Sequence, residues 1–260
     1  MRERDLPIDR KKHVMYSSSV KKLILKRLNT LYDKETSLAK WEKVQKQYVK
    51  FLEDLPYLGG KGCRHNGCGG TYDCIALFAF YEVERTSSFL DTLEAKKVLE
   101  EMNNSLFLPS FSRMGKILNC NSNFARKILH FAFNITSKGD KKVAYKTPDV
   151  NPNDEWPGGG YIMKVAPYKD ERVYYRFNRC PIAEFAKKHN YLHIMSAFCN
   201  GDYPALDKVH ASLIRNHTCA NSDYCDFLIV GSNSEDAKKH PRKIDEKGYI
   251  YNDRIDDYPY

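Results

Sequence analysis

Phe177 to Phe227 reads FNRCPIAEFAKKHNYLHIMSAFCNGDYPALDKVHASLIRNHTCANSDYCDF. Its hydrophobic period, and that of the residues just before it, decides the fold. Tyr161 to Val165 and Val173 to Phe177 alternate on either side of a PYKDE turn and are rich in Tyr, Val and Ile, the pattern of a β-hairpin. Cys180 then precedes Pro181, a residue suited to a first helical turn, and Ile182, Ala183, Phe185 and Ala186 continue a helix. Further helices are expected over Leu192 to Phe198 and from Tyr203 through Val209. Two more strands, Ala211 to His217 and Cys225 to Val230, flank the turn-forming Asn221-Ser222-Asp223. Residues 161–231 therefore read as an antiparallel sheet of about four strands with a helical insertion between two hairpins.

Upstream of this stretch the period is helical. Val20, Leu23, Ile24, Leu28 and Leu31 recur at three- and four-residue spacings, and a Thr36-Ser37 cap opens a second helix carrying Leu38, Trp41, Val44, Tyr48 and Leu52. Ile75 to Glu84 is almost wholly apolar, which fits a helix buried on most sides. Ser87 or Ser88 is placed to cap the next helix, Pro109 to restart a short one, and Asn121 or Ser122 to cap another that stops near Gly139. The expected class is α+β, arranged as one compact domain. A helical region over 1–140 carries a Gly/Cys-rich loop at 56–74, an irregular Pro- and Gly-rich connection covers 141–160, and the sheet follows. A charged, aromatic tail over 232–260 is expected to wrap the surface or move.

Composition narrows the function. With 42% hydrophobic and 13% aromatic residues, the chain can bury a sizeable core. A net charge of +9 invites an anionic partner, but the surplus is spread over Arg10 to Lys12, Lys21 to Arg27 and Lys138 to Lys142 rather than gathered, so nucleic acid is not expected. No signal-peptide core and no run of about 18 apolar residues appears, which points to a cytoplasmic protein without membrane contact. Eight cysteines in such a chain suggest buried, metal-bound or reactive thiols rather than disulfides.

Chemistry-bearing residues concentrate in the opening stretch. Cys199 and Asp202 stand three apart, so one helical turn presents both on the same side. Asp202 would orient a water, or Cys199 would attack if a cation lowered its pKa; the plainer readings are a buried thiol and a helix cap. Arg215 alternates with Leu213 and His217 on one strand face, free for a carboxylate or committed to a salt bridge with Asp202 or Asp226. His217 is a candidate proton shuttle. His189 and His193 at i, i+4, between Cys180 and Cys199, match no zinc spacing, nor do Cys63, His65, Cys68 and Cys74, so no metal and no cofactor are expected.

The pattern C-P-x-A at Cys180, Pro181 and Ala183, C-x-x-D at Cys199 and Asp202, R-x-x-T at Arg215 and Thr218, and C-D-F at Cys225, Asp226 and Phe227 resembles the L-2-amino-thiazoline-4-carboxylic acid hydrolase family. LPYLGG at Leu55 to Gly60 is similar to that family's Gly-Gly step. The layout also resembles, more distantly, vinyl-reductase-like and haem nitric-oxide-binding-like sensor domains. The closer resemblance implies a hydrolase acting on carbon–nitrogen bonds other than peptide bonds, opening a thiazoline to N-carbamoyl-cysteine. Cys199, Asp202 and His217 would then be catalytic, and Arg215, Thr218, Cys180, Cys225 and Asp226 would bind a small substrate bearing a carboxylate. A homo-oligomer is compatible with this reading, and the alternative is a ligand-binding or sensor domain without turnover.

Overall fold

A computed structural model describes residues 16–53, 55, 68–89, 91–144 and 162–254. The chain divides into two compact units, residues 1–106 with 139–160, and residues 107–138 with 161–260.

The first unit is helical. Helix α1 (Ser18–Leu31) starts where the Ser17 hydroxyl accepts from the Val20 amide, and α2 (Lys34–Leu52) where the Asp33 carboxylate accepts from the Thr36 amide. Asp33, not Thr36-Ser37, is thus the cap: its side chain reaches an amide three residues ahead that lacks an intrahelical partner. Helix α3 (Cys68–Glu84) is apolar nearly all round and packs against both. Val20, Ile24 and Leu28 of α1, Trp41, Val44 and Tyr48 of α2, and Ile75 to Phe80 of α3 form the buried core. At the end of α3, Glu84 accepts from the Tyr32 hydroxyl at 2.8 Å and from Lys40 Nζ at 2.7 Å.

Helix α4 (Thr92–Met114) corrects two expectations. Asp91 rather than Ser87 or Ser88 caps it, accepting from the Glu94 amide at 2.7 Å, and the helix continues through Pro109. A proline removes one amide donor, which a helix tolerates when the turns on both sides are otherwise helical. Helix α5 (Asn123–Ala144) similarly passes Gly139 instead of stopping there, because a glycine weakens a helix without breaking it. The connection that follows and most of the Gly/Cys-rich loop, including Cys63 and His65, lie outside the described residues; Cys68 and Cys74 belong to α3.

The second unit holds a four-stranded antiparallel sheet, so the protein is α+β. Strands β1 (Ile162–Val165), β2 (Val173–Arg179), β3 (Ala211–Ile214) and β4 (Cys225–Gly231) lie in the order β1-β2-β4-β3. The two hairpins are side by side, with β4 buried along its whole length. Asp170 and Glu171 turn the first hairpin with φ of 52° and 58°, the left-handed pair that a tight hairpin demands. Arg126 of α5 holds that turn, its Nε donating to the Glu171 carbonyl at 2.7 Å.

Register sorts the sheet into two faces. Tyr175 opposes Phe227, Phe177 opposes Cys225, and Val173 opposes Ile229, which in turn opposes Leu213. These side chains share one face; Tyr174, Leu228, Val230 and Ile214 pack on the other with Ala166. Between β2 and β3 run α6 (Pro181–Lys188), a 3-10 turn at Leu192–Ile194, α7 (Ser196–Cys199) and α8 (Asp202–Asp207). His189 ends α6 and is stacked between Phe185 and Tyr191, whereas His193 belongs to the 3-10 turn. The two imidazoles of the i, i+4 pair thus belong to different elements.

The tail, expected to wrap the surface or move, forms further secondary structure. After β4 come α9 (Glu235–Lys239) and a small hairpin, β5 (Lys243–Ile244) with β6 (Ile250–Tyr251). The Asp245 carboxylate closes it by accepting from the amides of Lys247 and Tyr249, both at 2.9 Å, and Gly248 takes φ of 86°. Tyr249 and Asn252 of this tail are buried. No described helix is long and apolar enough to cross a membrane.

Candidate functional site

The strand β3 ends at Ile214, and Arg215 follows it on the face of Leu213. Its side chain is 1% exposed, although guanidinium is permanently charged and costly to bury without partners. Those partners come from the helical insertion. Nη1 donates to Asp202 Oδ2 at 2.7 Å, and Nη2 donates to the Cys199 carbonyl at 2.8 Å. The rings of Tyr203 and Phe227 lie 5.0 and 5.4 Å from the guanidinium carbon, so aromatic faces take the place of water around it. Nε, also buried, meets no hydrogen-bonding partner among the described residues.

Arg215 is therefore committed to the protein. Of the two roles open to it, the geometry is that of an ion pair with Asp202, with both outer nitrogens engaged. Asp202 is the first residue of α8, and it differs from its partner in one respect. Crowded by protein though it is, 43% of its side-chain surface remains open to solvent. Burial raises its carboxyl pKa, and Arg215 offsets part of that rise.

Cys199, at the end of α7, lies beside this pair. Burial pushes its thiol up to about 12; Arg215 pulls it back, Cys180 and Asp202 add to the rise, and the nearby Thr218 hydroxyl opposes it. At neutral pH it is a thiol, not a thiolate. Cys225, opposite Phe177 at the start of β4, and Cys219, whose Sγ is 3.5 Å from the Phe177 carbonyl, are also raised by burial. Cys180 sits at the N-cap position of α6 and interacts with both Cys199 and Cys219. The four thiols thus gather around the ends of β2 and β4, yet no three Cys, His, Asp or Glu side chains among the described residues are placed to hold a metal.

The remaining candidates hold the loop that carries Arg215. Asp226 is buried, and its two oxygens accept from the amides of Asn216 and His217, at 3.2 and 2.6 Å. That places it behind Arg215 as a brace rather than at an open surface. Thr218 is pinned by the Asn221 side chain, which accepts from its amide at 2.9 Å and its hydroxyl at 3.1 Å. His217 turns elsewhere: Nδ1 is 3.2 Å from the Tyr224 hydroxyl and 3.9 Å from Asp226, and among the described residues it joins neither Cys199 nor Asp202. The alternation expected to align Arg215 with His217 fails because the strand ends at Ile214.

Several residues of this neighbourhood were not legible from motif spacing. Tyr175 of β2 is buried, stacked on Phe227 at 4.6 Å, and its hydroxyl pKa is raised by burial and by the nearby Asp202 and Cys225. Tyr203 donates to Asn252 Oδ1 at 2.9 Å. Sequence pattern alone places Tyr175 in a strand and Tyr203 in a helix, with no role in the site. The period-2 alternation that puts Tyr175 with Phe177 on one face was the available signal.

A model of the L-2-amino-thiazoline-4-carboxylic acid hydrolase family matches residues 77–229, more than half the chain. The matched span contains Cys180, Cys199, Asp202, Arg215, Thr218, Cys225 and Asp226. No curated protein and no solved structure matches the chain.

Proposed function

The chain belongs to the L-2-amino-thiazoline-4-carboxylic acid hydrolase family, and on that premise we propose that it hydrolyses a small cyclic amidine, with 2-amino-thiazoline-4-carboxylate as substrate. The observation that carries the proposal is the half-open carboxylate of Asp202, anchored from behind by a buried arginine. A carboxylate so held keeps one fixed orientation and has a free edge for water. A general base with a raised pKa is also the stronger proton acceptor at neutral pH.

In this reading Asp202 takes a proton from water as its oxygen bonds to C2 of the thiazoline, the carbon joined to sulfur and to two nitrogens. Asp202 passes that proton to the ring nitrogen as the C2–N double bond becomes single. The tetrahedral adduct then gives its hydroxyl proton to Asp202 and collapses to a C2 carbonyl as the C2–S bond breaks. Asp202 returns this second proton to the departing sulfur, which leaves as a thiol, and the product is N-carbamoyl-cysteine. Both C2–N bonds survive, so the attack is on an amidine carbon while the cleaved bond is to sulfur. The neutral Cys199 thiol is a hydrogen-bond donor within the same turn; it is not needed as a nucleophile, because a group pushed up to about 12 is almost wholly protonated at neutral pH. Arg215 positions Asp202, and Asp226 and Thr218 position Arg215 through its loop.

The test is chromatographic detection of N-carbamoyl-cysteine after purified protein meets 2-amino-thiazoline-4-carboxylate, with Asp202→Asn beside it. Product from the natural protein and none from the variant is the expected result. Saturable binding with no product would replace the hydrolase by a ligand-binding domain of the same fold.

A further inference from the structure

The ion pair is held from outside the span that the family model matches. Asn252, buried just past β6, makes contacts to the residue that carries the guanidinium. Its amide donates to the Arg215 carbonyl at 2.7 Å, and its Oδ1 accepts from the Arg215 amide at 3.1 Å and from the Tyr203 hydroxyl at 2.9 Å. Its Nδ2 donates back into the tail, to the His240 carbonyl at 2.7 Å, and its own carbonyl accepts from Asn216 Nδ2 at 3.1 Å.

The same tail grips the other side of the pair. Asn200, between Cys199 and the turn into Asp202, donates from Nδ2 to the Gly248 carbonyl at 2.8 Å, and its Oδ1 accepts from the Ile250 amide at 2.9 Å. The short β5–β6 hairpin, residues 243–251, thus fastens the helical turn bearing Asp202 while Asn252, just past it, fastens the strand end bearing Arg215. An arginine beyond its strand has no ladder to set its backbone. Here the backbone N–H and C=O of Arg215 are both taken by one asparagine in place of a neighbouring strand.

We propose that the C-terminal strap is a working part of the site and that Asn252 is a positioning residue, setting the Arg215–Asp202 geometry on which activation of water depends. The role in turnover rests on the hydrolase reading above; the control of Asp202 by the strap does not. Loss of Asn252 lets the end of β3 drift, the ion pair lengthens, and Asp202 loses the charge that favours its ionised form. Because Arg215 is the element lowering an otherwise raised carboxyl, the midpoint of Asp202 moves up. The other titratable groups around Asp202 are Cys199 of α7, Tyr175 of β2 and Cys225 of β4, all protonated at neutral pH and so silent in that range.

The experiment is a carbon-13 NMR titration of the Asp202 carboxyl in full-length protein labelled at aspartate, with the resonance assigned by its loss in Asp202→Asn. Natural protein, Asn252→Ala and Tyr203→Phe are compared, with circular dichroism as the check on folding and turnover measured in parallel. In folded Asn252→Ala the midpoint is expected to rise by about half a unit or more, and kcat to fall about tenfold with a smaller change in KM. Tyr203→Phe removes the hydroxyl's bond to Asn252 Oδ1 and its longer, 3.4 Å contact to the Arg215 carbonyl while leaving both backbone bonds of Asn252 and Arg215 in place, so a smaller shift in the same direction is expected. An unchanged Asp202 midpoint in folded Asn252→Ala overturns the proposal; should that variant not fold, an unchanged midpoint in Tyr203→Phe does so. If the natural protein opens no thiazoline ring, the hydrolase reading fails while the titration still decides whether the strap governs the acid.

Discussion

Two ion pairs, one in each unit, are built from the same chemistry and turned in opposite directions. Lys40–Glu84 closes the end of α3: the carboxylate is fully buried, the ammonium is 16% exposed, and Tyr32 and Ser87 satisfy what remains. Arg215–Asp202 buries the cation and leaves the carboxylate 43% open. In the first pair every acceptor is spent on the protein, and the reachable partner is a lysine whose charge is already answered. In the second the buried partner serves as scaffold, and the reachable one is a carboxylate able to accept a proton. Under the proposed function, which member faces water, not the presence of a salt bridge, is what separates the two pairs.

The contrast breaks most visibly at Asp202. Asp202→Asn keeps a side-chain oxygen for Arg215 but removes the base, so turnover should fall about a hundredfold or more, read by product formation at saturating substrate. It also strips a buried guanidinium of its counter-charge, which should cost about 2 kcal/mol in urea unfolding. Lys40→Met is the mirror experiment. It strands the buried Glu84 carboxylate and should cost about 3 kcal/mol while folded protein turns over at the natural rate. A folded Lys40→Met that lost turnover would erase the distinction.

Cys199→Ala sharpens the same comparison at smaller amplitude. The Arg215 contact is to the Cys199 carbonyl, which alanine retains, and the thiol is protonated at neutral pH. Turnover should drop less than about tenfold. A loss as deep as that of Asp202→Asn would make the thiol the nucleophile.

The last effect is on stability at alkaline pH. Burial raises the thiols of Cys199, Cys219, Cys225 and Cys120 above their ordinary value near 9. Below that value folded and unfolded chains bind the same thiol protons. Above it the unfolded thiols ionise while the folded ones stay protonated, so stability falls as pH rises from about 9 toward 12. Thermal melts across that range should show Tm decreasing, and Cys219→Ala should flatten the slope slightly.

Much of this was legible in the order of residues. The change from a 3.6-residue to a two-residue period marks where helices give way to sheet, and Pro181 and the turn near Asp170 mark real boundaries. The family pattern singled out Cys199, Asp202 and Arg215 together. What misled was local. Pro109 and Gly139 carry helix-stopping propensities that neighbouring turns override, and Asp33 and Asp91 captured caps assigned to nearby hydroxyls. His217 was aligned with Arg215 by an alternation that the strand does not sustain. How the tail is fastened was not visible in the sequence, because Asn252 and Asn200 are fixed by hydrogen bonds that hydrophobic periodicity does not register. The Asp245–Gly248 turn between Lys243-Ile244 and Tyr249-Ile250-Tyr251 was the overlooked signal.

By itself the sequence determined the α+β class, the hairpin–helix–hairpin order and the short list of groups with useful chemistry, because period, turn chemistry and residue type are local properties. Tertiary structure alone decided which charge of the pair is buried, that the thiol stays protonated, and that a distant asparagine holds the arginine in place. Those depend on desolvation and on partners far apart along the chain, and neither is written in any single stretch of it.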